Sequence, residues 1–110
     1  MTMSKRRHKR FLITLHGQVI IGDKRYDAVI GNVSEEGLSS TVTTYIKTDN
    51  DFSPHKSIRL TFDLPSGEAM NLKCEIRWYL KPQDNGDNLI LGLYIVAPPP
   101  QYTRWIENFQ

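Results

Sequence analysis

Ile58-Arg59-Leu60-Thr61-Phe62-Asp63-Leu64 alternates apolar and polar side chains with period two, and Pro65-Ser66-Gly67 then breaks the pattern. The chain returns as Met70, Leu72, Cys74, Ile76, Trp78 and Leu80, alternating with Asn71, Lys73, Glu75, Arg77 and Tyr79. Successive side chains of a strand point to opposite faces, so this stretch predicts two strands, each with one face toward a core. The Pro-Ser-Gly step supplies the turn between them.

The same period extends in both directions. Upstream, Phe11, Ile13, Leu15, Val19 and Ile21 alternate with Thr14, His16 and Gln18, and Gly22-Asp23-Lys24 signals a turn. Arg25 to Val33 returns with Tyr26, Ala28 and Ile30 inward. After Ser34-Glu35-Glu36-Gly37, the Thr-, Ser- and Val-rich run Leu38 to Tyr45 suits a strand with one wet face. Thr48 to His55 is polar, contains Pro54 and reads as a loop. Downstream, Pro82 to Asn88 is a turn and Leu89 to Val96 a last strand. Six strands with short connections predict an antiparallel barrel or sandwich.

The tail changes period. Pro98-Pro99-Pro100 cannot pair in a sheet but can open a helix. Tyr102, Trp105, Ile106 and Phe109 follow at i, i+3, i+4, i+7, one apolar stripe of a helix over 101–110. So short a helix is marginal alone and must dock, plugging a barrel end or covering a sheet face.

Composition sets the outer bounds. With 110 residues, 39% apolar and 24% charged, the chain fits one soluble globular domain. No stretch approaches the roughly 20 apolar residues needed to span a bilayer. The basic N-terminus lacks the apolar run of an export signal. The single Cys74 cannot form an internal disulfide, in keeping with a reducing cytoplasm. The net charge of +2 conceals an asymmetry. Five of the 14 Lys and Arg lie between positions 5 and 10, so the other nine face 12 acids and leave the remainder at −3. Residues 1–10 thus form a flexible basic arm on an acidic body over 11–110.

Two polar signatures flank the first strand pair. Lys5-Arg6-Arg7-His8-Lys9-Arg10 holds Arg6 and Arg10 in the spacing Arg-x-x-x-Arg. Asn32-Val33-Ser34-Glu35-Glu36-Gly37 reads Asn-x-Ser-x-x-Gly. In this order they resemble the ligand motifs of the PilZ domain family, Arg-x-x-x-Arg followed by Asp/Asn-x-Ser-x-x-Gly. The resemblance covers nearly the whole chain. It implies a six-stranded antiparallel β-barrel with a C-terminal α-helix, and it implies binding of the bacterial second messenger cyclic di-GMP.

The residue chemistry suits that ligand, which offers two phosphodiester anions and two guanines. Arginine presents a planar donor fork that matches a phosphate or the O6/N7 edge of guanine, and its flat face can stack on a base. Arg6 and Arg10, tethered just ahead of the first strand, could clamp it, and binding would then order the arm. Asn32 and Ser34 lie two apart at a strand end, so an extended backbone aims both to one side. An asparagine carbonyl accepts from a guanine N–H, and a serine hydroxyl donates or accepts. Gly37 permits a positive φ and close approach of a ligand. Glu35 and Glu36 face solvent. In the family, the residue before the first motif arginine influences whether one ligand or a stacked ligand dimer is held, and Lys5 resembles members that take the dimer. Arg7 is an auxiliary phosphate contact or solvated.

Other chemistry has little support. His8, His16 and His55 have no metal-ligand spacing with one another or with Cys74, which shares an apolar face with Met70, Leu72 and Ile76. Trp78, Trp105 and the tyrosines read as core and rim rather than as a base-stacking row. There is no phosphate-cradling glycine loop, nucleophile elbow or carboxylate pair with a fold context, which argues against an enzyme and against any cofactor. The competing function is a small nucleic-acid-binding barrel that uses the basic arm. A cationic cluster concentrated in the arm, rather than cations interleaved with aromatics on strands, counts against it. A degenerate adaptor that binds no ligand is a third reading, opposed by the intact motifs. A single domain without an attached effector must act through another protein or process, which the sequence does not identify.

Overall fold

A computed structural model describes residues 9–43, 52–81 and 88–109. Six strands precede one helix: β1 (Phe11–Ile21), β2 (Lys24–Val33), β3 (Gly37–Thr43), β4 (Ser57–Asp63), β5 (Ala69–Leu80), β6 (Asn88–Ile95) and α1 (Pro100–Glu107). All pairings are antiparallel, in the order β1-β2-β3-β6-β5-β4, and β4 pairs with β1 to close the barrel. Closure removes the exposed sheet edge that an open six-stranded sheet would carry. Of the two architectures the strand pattern permits, the chain adopts the barrel.

The period-two pattern explains the core. Val19, Ile30, Val42, Leu60, Leu72, Ile76 and Leu91 have no solvent exposure, whereas their outward neighbours Arg59, Lys73 and Glu75 are exposed or half-buried. Cys74 is among the fully buried residues, and burial pushes its thiol up to about 12. The strand boundaries lie within one residue of the sequence pattern, except that residues 44 and 45, placed at the end of the third strand, lie outside the described residues. Of the loop Thr48 to His55, residues 52–55 are described. Phe52 is buried there, set edge-on against Tyr26 at 5.1 Å.

Alternation fails at the end of β5. Trp78 and Leu80 were expected inward, yet they are 49% and 57% exposed. The cause is a register shift. Ile76 pairs with Leu93, but the next pair is Trp78 with Gly92, so Arg77 is an extra residue on β5. Such a bulge turns the following side chains to the other face. The indole of Trp78 then lies over Gly92, where an added Cβ would meet it at 2.2 Å.

The helix is shorter than the predicted 101–110. Tyr102 and Thr103 donate backbone hydrogen bonds to Pro99 O, and at the C-terminus Phe109 N donates to Ile106 O in a tightened turn. Helical geometry thus ends at Glu107, and Asn108 and Phe109 form the turn. Tyr102 and Ile106 are fully buried. Trp105 packs on Phe62 at 5.8 Å, and Phe109 stacks on Phe11 at 5.0 Å with ring planes 18° apart. These partners are at the end of β4 and the start of β1, so α1 caps that end of the barrel. No described helix is long and apolar enough to cross a membrane.

Candidate functional site

β1 begins at Phe11, which leaves Arg10 as the last residue before the barrel. In the β1–β2 ladder Leu12 is opposite Asn32. Residues two apart share a face, so Arg10 emerges beside Asn32. Its Nη1 donates a hydrogen bond to Asn32 Oδ1 at 2.5 Å. The two motifs, 22 residues apart in sequence, therefore meet in the fold. That contact uses one of the five guanidinium donors and leaves the Asn32 amide donors available.

Asn32 reaches the surface because of a second irregularity. The register runs Leu12↔Asn32 and then Leu15↔Ile30 on one side of β2, and Asn32↔Ser39 and then Ile30↔Ser40 on the other. Strict alternation from the buried Ile30 would bring Asn32 into the core. The shift at Gly31 places Val33 there instead, fully buried, and leaves Asn32 half-buried on the outside.

Ser34 differs from expectation. β2 ends at Val33, so Asn32 and Ser34 are not carried to one side by a continuous strand. Ser34 is 5% exposed, and its hydroxyl is turned into the loop. Its Oγ donates to Gly37 O at 3.1 Å and accepts from Gly37 N at 3.3 Å, and Ser34 N donates to Gly37 O at 2.8 Å. Ser34 thus closes the turn that separates β2 from β3. Gly37 does not use a positive φ either, since the glycines that do are Gly22 and Gly67. Glycine is required at 37 by packing, because a Cβ would come within 2.4 Å of the Leu93 carbonyl oxygen on β6. Glu35 and Glu36 are exposed, as the sequence implies.

The helix cap supports both motifs. The Tyr102 hydroxyl donates to Ser34 O at 2.6 Å. Burial pushes the Tyr102 phenol far above its ordinary value, and Cys74 adds to this, while Arg10 and the Ser34 hydrogen bond pull the other way. The phenol therefore remains a donor throughout the physiological range. One turn on, Trp105 and Phe109 meet edge-on at 5.4 Å, and Phe109 carries the contact to Phe11, the neighbour of Arg10.

The strand registers extend the site in a direction the sequence pattern concealed. Leu12, Asn32, Ser39, Gly92 and Trp78 are successive cross-strand partners on β1, β2, β3, β6 and β5. They form one outward row, with exposed Leu12 and Trp78 at its ends. Beside it the Arg77 guanidinium lies 4.5 Å from the ring centre of Tyr94. The sequence signal for this row was Gly92, a glycine inside a strand, which marks close approach by a neighbour.

Lys5, Arg6 and Arg7 lie outside the described residues. Among the described residues no three His, Cys, Asp or Glu side chains cluster as metal ligands. The surface around Arg10 and Asn32 is an open face of the barrel. A groove of about 490 Å³ lies elsewhere, between the β4–β5 turn and α1, lined by Glu68, Arg104 and Glu107 among others.

The PilZ domain family model matches residues 4–109, and the chain belongs to that family. The Bacillus subtilis inhibitor of motility (MotI/DgrA) superposes with a TM-score of 0.78 at 14% identity, over 97% of this chain and 50% of that one. The chain thus spans about half the length of that structure. The PilZ domain with c-di-GMP of YcgR from Escherichia coli superposes with a TM-score of 0.73 at 11% identity, over 96% of this chain and 88% of that one. At these identities the likeness is one of fold. No curated sequence matches the chain.

Proposed function

We propose that this PilZ domain is a receptor for cyclic di-GMP and acts as an adaptor in the cytoplasm, without catalysis of its own. The observation that carries the reading is the contact between Arg10 and Asn32, which joins one half of each motif at a single point on the barrel surface. Family membership over residues 4–109 supports the ligand class, and so does the cyclic di-GMP held by the YcgR PilZ domain.

In this reading residues 1–10 close over the ligand. Arg6 and Arg10 grip phosphates and guanine edges through charge-assisted hydrogen bonds, and Arg7 adds a phosphate contact. Asn32 reads a guanine N–H. Ser34 and Gly37 contribute by holding the turn that sets the position of Asn32. The row from Asn32 to Trp78 spans about 14 Å at ordinary strand spacing and offers the bases a surface bounded by an indole. Lys5 supplies positive charge for a second, stacked ligand. The closed arm presents a new surface to a downstream protein.

Calorimetric titration of the full chain tests the reading, with cyclic di-AMP, GTP and a single-stranded oligonucleotide as comparators. Selective cyclic di-GMP binding, with two ligands per chain reduced to one in Lys5→Leu, is the expected result. Tighter binding of the oligonucleotide would favour a nucleic-acid-binding barrel instead. Hydrogen exchange tests closure: protection should rise in residues 1–10 and around Asn32 to Gly37 when ligand is added.

A further inference from the structure

At the far end of β1 from Arg10, the strand registers assemble a second polar feature. Arg25 on β2 is opposite Ile20 on β1, Ile20 is opposite Arg59 on β4, and Arg59 is opposite Lys73 on β5. Three cations and one half-buried isoleucine therefore form a single outward row across four strands. They line a shallow groove of about 440 Å³ together with Ser57. From Leu12, beside the motif, to Ile20 is eight residues, about 25 Å at the rise of a strand. The row is separate from the site described above.

The row is cationic although the chain outside residues 5–10 is net acidic. Arg59 and Lys73 are directly opposed, an arrangement that destabilises a sheet when nothing offsets it. Neither is ion-paired among the described residues, and the Arg25 side chain reaches only Gln18, donating to its Oε1 at 3.3 Å. A folded chain that keeps opposed, exposed cations gains from them when an anion arrives.

We infer that this row is a docking surface for an extended acidic segment of a partner protein, laid across the strands. Four adjacent strands place Arg25 and Lys73 about 14 Å apart, and carboxylates at i, i+2 and i+4 of an extended segment span the same distance. Both arginines offer the planar fork that carboxylates bind. Ile20 provides an apolar contact between the cations, suited to a side chain rather than to a sugar–phosphate backbone. The flanking rows carry Asp27 on one side and Glu75 on the other, which repel a longer polyanion or a charged membrane. The surface thus takes a short acidic stretch, and its distance from the motif allows a ligand and a partner to be held together.

The test is nuclear magnetic resonance titration of the full chain with an octapeptide of alternating Glu and Thr, with tripolyphosphate and a single-stranded oligonucleotide as comparators. Amide shifts should centre on Ile20, Arg59 and Lys73, and the double variant Arg59→Glu, Lys73→Glu should weaken the peptide at least tenfold. Cyclic di-GMP affinity should not change in that variant, so failure here and failure of the receptor reading are distinguishable. Lys73→Glu alone should raise the melting temperature by about 2–4 °C, since it converts the opposed cations into an ion pair. Shifts confined to residues 5–10, unchanged peptide affinity in the double variant, or tighter binding of tripolyphosphate or oligonucleotide to the row would overturn the inference. A lower melting temperature for Lys73→Glu would do the same.

Discussion

Tyr102 and Ser34 are 68 residues apart, yet a 2.6 Å hydrogen bond from the Tyr102 hydroxyl to the Ser34 carbonyl ties the helical cap to the second motif. The phenol is fully buried, so its hydroxyl has no access to water in compensation. The turn that positions Asn32 is thereby braced from inside the barrel.

Tyr102→Phe isolates that brace, because it removes one hydroxyl and keeps the ring packing. The Ser34 carbonyl then loses a partner, and the fold should lose about 1–2 kcal/mol. Thermal denaturation measures the loss. Cyclic di-GMP affinity should fall as well, since the turn beneath Asn32 is less constrained. Unchanged affinity at lower stability would uncouple the cap from the site.

Gly37→Ala probes the other side of the same turn. Its Cβ would sit 2.4 Å from the Leu93 carbonyl oxygen, and the strands cannot separate there without losing ladder bonds. A loss of about 1–3 kcal/mol is expected, typical of overpacking. A stability equal to the parent would show that β3 and β6 can relax, and would return Gly37 to the role of a ligand contact.

Trp78→Ala examines the row beyond the motifs. Removal of an exposed indole should leave the fold intact, while the loss of a stacking surface costs about 1–3 kcal/mol of cyclic di-GMP affinity. Intrinsic fluorescence of the parent should change on titration, because Trp78 bounds the ligand surface. Full affinity in the variant would confine the site to the β1–β2 end of the row.

The sequence made most of this legible where its period was regular. Val19, Leu60 and Leu72 are in the core as their alternation requires, and the strand ends follow the turn residues. It misled at two places: the bulge at Arg77 sent Trp78 and Leu80 outward, and the strand end at Val33 turned Ser34 into its own loop. The shift at Gly31, which keeps Asn32 outside and puts Val33 in the core, was not visible in it. A bulge depends on how two strands pair, so a pattern read along one strand does not contain it. The Arg10–Asn32 contact and the basic row through Arg59 are likewise products of register between distant segments.

Cys74 gives a prediction about pH. Its folded-state value of about 12 is above the ordinary 9.0, so the unfolded chain releases the proton first. Stability is therefore insensitive to this group below pH 9 and falls as pH rises above it. The slope is about 1.4 kcal/mol per pH unit up to the folded value. Cys74→Ala should remove that part of the slope, and Tyr102, shifted in the same direction, also contributes to the fall. In the native state near neutral pH the thiol should resist alkylation. Rapid labelling without unfolding would contradict its placement in the core.

The central claim is that the two motifs act together on one ligand, and calorimetry of cyclic di-GMP binding to the parent chain, Arg10→Ala and Asn32→Ala tests it most directly. Arg10→Ala should lose about 1.5–3 kcal/mol of affinity and Asn32→Ala about 0.5–1.5 kcal/mol. The Arg10 contribution should shrink as salt is added, and Asn32→Ala should narrow the preference for cyclic di-GMP over cyclic di-AMP. Parent-like affinity in both variants, or no binding by the parent chain, would contradict the account.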